Sequence, residues 1–219
     1  MDNARARELR RSLVTLYASS WAAGIYTRLK LLLLPLADVA ERLPRRGLIL
    51  DMGCGFGYVA NYLNLDSPER VIVANDPAVS RIASAQRTVG ARRNIEFHAI
   101  DSRDIVRSDF DGASVFDVLH HVPYDQQQAL INDLYSKLKP GGMLVIRETD
   151  QRPALRYYLF NCALEWVLYA GQEKTRFRPM RDWVDMLQCA GFSIEQVTPN
   201  AWWFPYTTCL FVCRKPHDA

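Results

Sequence analysis

The densest chemical signal in the chain lies between positions 48 and 57. Leu48-Ile49-Leu50 runs into Asp51, and Gly53, Gly55 and Gly57 follow at every second position. An apolar run of that length reads as a buried parallel strand. The glycines after it permit positive φ and close backbone approach to a ligand. A helix from Tyr58 to Leu63 would then start at the turn, its free N–H groups aimed at that ligand. Strand, glycine turn and helix make a nucleotide-type cofactor site. The dinucleotide fingerprint is G-x-G-x-x-G; here the spacing is G-x-G-x-G, with an acid two residues ahead of the first glycine. A tight loop that merely needs glycines would look similar.

The elements that must position this turn follow a strand–helix rhythm from Gly47 onward. Val71-Ile72-Val73-Ala74 reads as a second strand ending at Asn75-Asp76, and residues 78–88 as a helix with Val79, Ile82 and Ala83 inward. Ile95 to Ile100 alternates as a third strand ending at Asp101-Ser102. Asp51, Asp76 and Asp101 therefore lie 25 residues apart, each where an apolar strand stops. Alternating β and α units build a parallel sheet whose ligands bind outside its carboxyl ends. The three carboxylates are predicted to converge on one crevice, although a single Asp after a strand is usually a turn residue or cap.

The pattern Asp51-x-Gly53-x-Gly55-x-Gly57 resembles motif I of the class I S-adenosylmethionine-dependent methyltransferases. Phe110 to His121, with Phe116-Asp117 and Leu119-His120-His121, looks like the family's fourth strand and its exit. Leu138-Lys139-Pro140-Gly141-Gly142 running into Met143-Leu144-Val145-Ile146 is similar to the family's turn into strand five. Helix 180–190, Ala190-Gly191-Phe192 and Leu210 to Cys213 continue the match, which spans about residues 47 to 214. Gly112 and Ser114 depart from it by weakening the start of strand four. The resemblance implies a Rossmann-like, doubly wound, seven-stranded and mostly parallel sheet of order 3-2-1-4-5-7-6, with strand 7 antiparallel. It implies a helical cap over 1–46 and a cofactor-binding domain over 47–215 carrying an aromatic helical insert at 151–178.

It also implies an enzyme using S-adenosyl-L-methionine and releasing S-adenosyl-L-homocysteine. Gly53, Cys54, Gly55 and Gly57 would form the cofactor turn, and Asp51 would hold the methionine ammonium, directly or through water. Asp76, followed by Pro77, would accept from both ribose hydroxyls, a charge-assisted arrangement. Asp101, with Ser102 beside it, would take the adenine amino group, and Asp117 would touch the methionine head or the acceptor, or be a turn acid. Methyl transfer asks mainly for in-line alignment; a base matters when the nucleophile must lose a proton. His120 and His121 follow strand four, and histidine is the side-chain type whose ordinary titration suits a base near neutral pH. His120 also falls where many small-molecule O-methyltransferases of the family place a catalytic histidine. Glu148 and Asp150, with Arg152, leave strand five; they bind the acceptor, orient a histidine, or cap a helix near Pro153.

Tyr157, Tyr158, Phe160, Trp166 and Tyr169, with Trp202, Trp203, Phe204 and Tyr206, suggest an aromatic roof for an apolar or planar, lipid-like acceptor, although such spacing is more often core. Arg176, Arg178 and Arg181 offer an alternative, an acidic group. The leading function is methylation of an O or C atom of a small molecule. An RNA or protein methyltransferase is the alternative, and a catalytically silent cofactor-binding scaffold the second. Nucleic acid is disfavoured, because the net charge of +3 is mild and no RNA-binding appendage is recognisable.

The 219 residues suffice for one domain with a helical cap. The five cysteines at 54, 162, 189, 209 and 213 include no C-x-x-C, and no Cys and His set has a metal-ligand spacing. Reduced, mostly buried thiols of a cytoplasmic protein and no metal are expected. No cleavable signal is read, and Leu31–Leu34 is too short to span a bilayer. Residues 4–43 read as two helices with Leu9, Leu13, Leu16, Tyr17, Ile25, Leu29, Leu32, Leu33 and Leu36 on apolar faces. Trp21, Tyr26, Arg28 and Lys30 flank the apolar segment, so residues 17–36 could contact a membrane peripherally; packing as a cap over the cofactor end is the preferred reading. Oligomeric state is not legible.

Overall fold

The computed structural model describes residues 3–18, 21–151, 175–200 and 207–217. The chain divides into two compact units, Met1–Ser114 and Val115–Ala219. Its strands form one seven-stranded sheet of order 3-2-1-4-5-7-6, as the resemblance implies.

In the first unit three helices come before the sheet: α1 (Asn3–Tyr17), α2 (Trp21–Leu32) and α3 (Leu36–Arg42). Two helices are expected there; the difference is at Pro35, which stands just before α3 and has no N–H to carry a helix across. Strand β1 (Gly47–Met52) is buried from Leu48 onward, which explains its unbroken apolar sequence. Strand β2 (Arg70–Asn75) pairs with it in parallel, Gly47 opposite Arg70 through Met52 opposite Asn75. Strand β3 (Ile95–His98) pairs in parallel with β2. Helices α4 (Tyr58–Asp66) and α5 (Val79–Gln86) make the crossovers.

A buried guanidinium ties the front helices to this frame. Arg70 donates from Nε to Pro44 O, from Nη1 to Leu63 O and Asp66 Oδ2, and from Nη2 to Ala40 O and Leu43 O. Five acceptors, one of them charged, offset the cost of taking the cation out of water. They also engage carbonyls in the last turns of α3 and α4 and in the segment after α3.

β3 is shorter than the sequence suggests. It stops at His98, so Asp101 does not end a strand; it caps the 3₁₀ turn Ser102–Asp104 by accepting from Arg103 N. Strand β4 (Phe110–Phe116) starts at Phe110 despite Gly112 and Ser114.

The second unit holds the 3₁₀ turn Leu119–His121, α6 (Tyr124–Lys137), β5 (Leu138–Thr149), α7 (Met180–Cys189), β6 (Ser193–Pro199) and β7 (Thr208–Arg214). β7 runs antiparallel to both β5 and β6, Met143 facing Arg214 and Thr149 facing Thr208. β5 begins five residues before the expected Met143, because Gly141 N donates to Lys215 O and Lys215 N to Gly142 O, extending the ladder into the Pro-Gly-Gly segment. Of the cysteines, Cys209 and Cys213 are buried, Cys54 is partly so and Cys189 is exposed. The surrounding apolar packing pushes both buried thiols up to about 12. Cys162, Arg152, the aromatic residues of 157–169 and those of 202–206 lie outside the described residues, as does the side chain of Tyr26.

Candidate cofactor turn and histidine–glutamate pair

β1 delivers the chain into a turn in which Gly53, Gly55 and Gly57 all have positive φ. The two acids at the ends of β1 and β2 hold that turn. Asp76 Oδ2 accepts from Gly55 N at 3.0 Å, and Oδ1 from Ala78 N at 2.9 Å. Asp51 Oδ2 accepts from Ala60 N at 3.0 Å in the first turn of α4, and Oδ1 from the Ser114 hydroxyl at 2.7 Å. Asp51 is only 1% exposed. Burial pushes its carboxyl up to about 7; the Ser114 and Ala60 hydrogen bonds oppose the shift and the Asp76 charge adds to it. Burial, followed by the charges of Asp51 and Asp76, likewise raises the Cys54 thiol.

Two of the glycines serve different ends. A Cβ on Gly57 would stand 2.5 Å from the Phe97 ring, so bareness there lets β3 pack on the turn. A Cβ on Gly55 would meet nothing within 4 Å. Its bareness is required by the φ of +54° and leaves open space beside the backbone. The turn is latched from behind: Tyr17, the last residue of α1, donates its hydroxyl to Phe56 O at 2.7 Å and accepts from Asn61 Nδ2 at 2.8 Å. Asn61 in turn donates to Gly57 O and accepts from Arg92.

Asp51 and Asp76 thus meet on one turn. Asp101 stands apart from it in its bonding: Oδ1 takes Arg103 N and Nε, and Oδ2 takes Arg103 Nη2. The Arg103 hydrogen bonds hold its carboxyl down at about 2. Ser102 adds a weaker hydrogen bond to Asp101, and Pro77 is exposed after Asp76.

In the second unit, the residues after β4 form a buried pair. Glu148 Oε1 accepts from Val118 N at 3.0 Å and Leu119 N at 2.6 Å, and Oε2 meets His120 Nδ1 at 2.7 Å. A carboxylate there accepts the Nδ1 proton, which leaves the lone pair on Nε2. The His120 ring is 1% exposed, with the Phe177 ring stacked at 4.7 Å and His121 at 4.2 Å. Arg176 seals the turn, donating from N to His120 O and from Nη1 to His121 O. Gln127 joins the same layers through Leu119 O, Val122 O and Arg176 O.

Asp117 adopts φ 56°, a left-handed conformation that Asp tolerates better than most residues, and its N donates to Arg147 O. Its carboxylate pairs with the buried Arg147 at 3.3 Å. Asp150 caps α7 through Met180 N, a helix distant in sequence from Pro153, which lies outside the described residues. Arg178 binds Gln127 Oε1 and lies over the Tyr124 ring, while Arg181 is solvent-exposed beside Asp185. Sequence reasoning did not reach Ser114, Tyr17, Phe177, Gln127 or Arg147. Ser114 carries a signal in the sequence, a polar residue inside an apolar strand, and its hydroxyl serves Asp51. Among the described residues no group of His, Cys, Asp and Glu could hold a metal ion.

A family model described as "Methyltransferase domain" matches residues 24–197. Among curated relatives, sphingolipid C9-methyltransferase B of Emericella nidulans is 23% identical over 68% of this chain and 30% of its own length. Carboxy-S-adenosyl-L-methionine synthase of Pectobacterium atrosepticum is 29% identical over 50% of this chain and 47% of its own. The chain thus spans less than half the length of either relative. Among solved structures, magnesium protoporphyrin IX methyltransferase of Synechocystis PCC 6803 with bound S-adenosylmethionine superposes with a TM-score of 0.64 at 18% identity, covering 82% of this chain and 77% of that one. That likeness speaks for the fold. The open face of Gly55, between an acid-held backbone and the start of α4, fits the cofactor of this fold family. Motif, sheet order and family match agree: the chain belongs to the class I S-adenosylmethionine-dependent methyltransferase family.

Proposed function

We propose that the protein transfers a methyl group from S-adenosylmethionine to an oxygen or carbon of an apolar or aromatic small molecule of lipid-like kind. The observation that carries this reading is the glycine turn, open beside Gly55 and held by two buried carboxylates. The bound cofactor supplies an electrophilic methyl on a sulfonium leaving group. Asp76 fixes the Gly55 N–H and would accept from the ribose hydroxyls, with Pro77 following it. Asp51 anchors the start of α4 and would face the methionine ammonium. Asp101, once it exchanges Arg103 for the adenine amino group, would complete the set with Ser102. The lipid-like acceptor is supported by the sphingolipid relative. In the same reading residues 1–46 act as a helical cap, residues 47–215 as the catalytic domain with the insert at 151–178, and the protein works in the cytoplasm, in peripheral contact with a membrane.

For an acceptor that must lose a proton, His120 is the base: Glu148 orients it and stabilises the imidazolium formed. A second reading is favoured by the burial of that ring under Phe177, namely that the pair only holds the Leu119–His121 turn together. The test uses methyl-labelled S-adenosylmethionine with a lipid and metabolite extract. His120→Ala should lower label transfer by about 10²–10⁴-fold while leaving cofactor affinity unchanged. His121→Ala is the control. Unchanged transfer in His120→Ala, with a lowered melting temperature, would assign the pair to holding the turn. Label appearing on RNA, with steeply salt-dependent binding, would replace the small-molecule reading by the nucleic-acid one. Binding of the cofactor without transfer to any acceptor would favour a silent scaffold.

A further inference from the structure

α2 does not bury the face that its sequence offers. Thr27 and Leu31 are buried, but Trp21, Ile25, Leu29 and Leu32 are 84%, 36%, 59% and 67% exposed. At 100° per residue these four share one stripe about 80° wide, with exposed Arg28 on its edge. The stripe runs about 16 Å along the helix axis. Neighbouring α1, by contrast, sinks Leu9 and Leu13 completely.

Charge says what could cover the stripe. Residues 3–34 hold six basic side chains, Arg5, Arg7, Arg10, Arg11, Arg28 and Lys30, against the single acid Glu8, which is paired with Arg5 at 3.2 Å. That segment therefore carries +5 of a chain whose total is +3, and the remainder carries −2. An apolar stripe with Arg28 on its edge and Trp21 at one end, in a segment of net charge +5, has the make-up of a helix lying in a bilayer interface. It cannot cross: no described helix is long and apolar enough to span a membrane.

We propose that the exposed face of α2, with the basic side chains of α1 and α2, docks this protein on an anionic lipid surface. The proposal deepens the lipid-like acceptor reading and rests on it for its purpose, not for its evidence. Trp21, Ile25, Leu29 and Leu32 enter the headgroup–acyl boundary, while Arg28 and the exposed Arg7 and Arg11 of α1 meet the lipid phosphates. Docking of this kind would bring the enzyme to an acceptor that stays in the membrane.

Flotation of the full chain with phosphatidylcholine vesicles, with and without about one quarter phosphatidylglycerol, tests it. Binding to the anionic vesicles is expected to exceed that to neutral ones by about tenfold or more, and to fall as salt rises from about 0.1 M to about 0.5 M. The double variant Leu29→Glu, Leu32→Glu should lose at least about tenfold in vesicle binding, and Arg28→Glu about fivefold or more. These side chains face solvent, so melting temperature and S-adenosylhomocysteine affinity measured without vesicles should stay as in the wild type. That second measurement separates failure of docking from failure of the cofactor reading. Absence of vesicle binding, or binding that the double variant leaves intact, overturns the proposal. So does a wild-type dimer that the double variant dissolves, since a second copy would then cover the stripe.

Discussion

At Asp51 burial and hydrogen bonding pull in opposite directions. The Ser114 hydroxyl and Ala60 N favour its ionised form, yet loss of water dominates and lifts the carboxyl from 3.8 to about 7. Between those values the folded chain keeps a proton that the unfolded chain has released. Stability attributable to Asp51 must therefore fall as pH rises from about 4 to about 7, by at most about 1.4 kcal/mol per pH unit. Asp101 works in the other sense: held down at about 2 by Arg103, it contributes stability above its ordinary value, lost as pH falls toward 2. Its exposure screens that contribution. Asp51→Asn removes the first effect and leaves the second. Denaturant titrations of both proteins across pH 4 to 8 should show the variant gaining on the wild type between about 4 and 7; parallel profiles would mean that Asp51 ionises freely in the fold. The sequence marked Asp51 as a site residue because an acid followed by alternating glycines is a compact pattern. It offered Glu148 as the orienter of a histidine only beside two other roles, and it could not mark the partnership of Ser114 with Asp51, 63 residues apart, because strand pairing brings such residues together.

The strand–turn–helix unit separates two kinds of glycine. Gly55→Ala adds a Cβ into open space and costs mainly the left-handed strain, about 1–2 kcal/mol. Gly57→Ala adds the same strain and drives its Cβ into the Phe97 ring, for about 1–3 kcal/mol more. Thermal unfolding should therefore find Gly57→Ala the less stable of the two. Calorimetry should find Gly55→Ala more than about tenfold weaker for S-adenosylhomocysteine, since close ligand approach is what the bare backbone allows. Wild-type affinity in Gly55→Ala would move the ligand off this turn. Strands β1, β2 and β7 were legible because burial on both faces leaves an unbroken apolar run. The early start of β5 was not, since Pro140-Gly141-Gly142 reads as a turn and only the ladder to Lys215 makes it strand. The end of β3 was not legible, since Ala99 continues the alternation of Ile95 to His98 while the pairing to β2 ends at His98. Along α2 the apolar positions were visible in the sequence, but which of them the neighbouring helix covers was not.

Across the whole molecule, sheet order came through a resemblance carried by short motifs at strand ends, and the basic run Arg5, Arg7, Arg10 and Arg11 was plain in the sequence, where a solvated helix face explains it as well. A ligand that binds only the folded chain stabilises all of it, by about 2.7 kcal/mol at a hundredfold excess over its dissociation constant. For a chain of this size each kcal/mol is worth roughly 2–4 °C. The most direct test of the cofactor assignment is therefore thermal unfolding with excess S-adenosylhomocysteine, for the wild type and for Asp76→Ala. The wild type should melt about 5–10 °C higher with the ligand and be unmoved by NAD. Asp76→Ala, lacking the carboxylate that holds Gly55 N, should bind about 1–3 kcal/mol more weakly and lose between about a third and nine-tenths of that shift at the same concentration. No shift in the wild type, or an equal one in Asp76→Ala, would contradict the placement of S-adenosylmethionine on this turn.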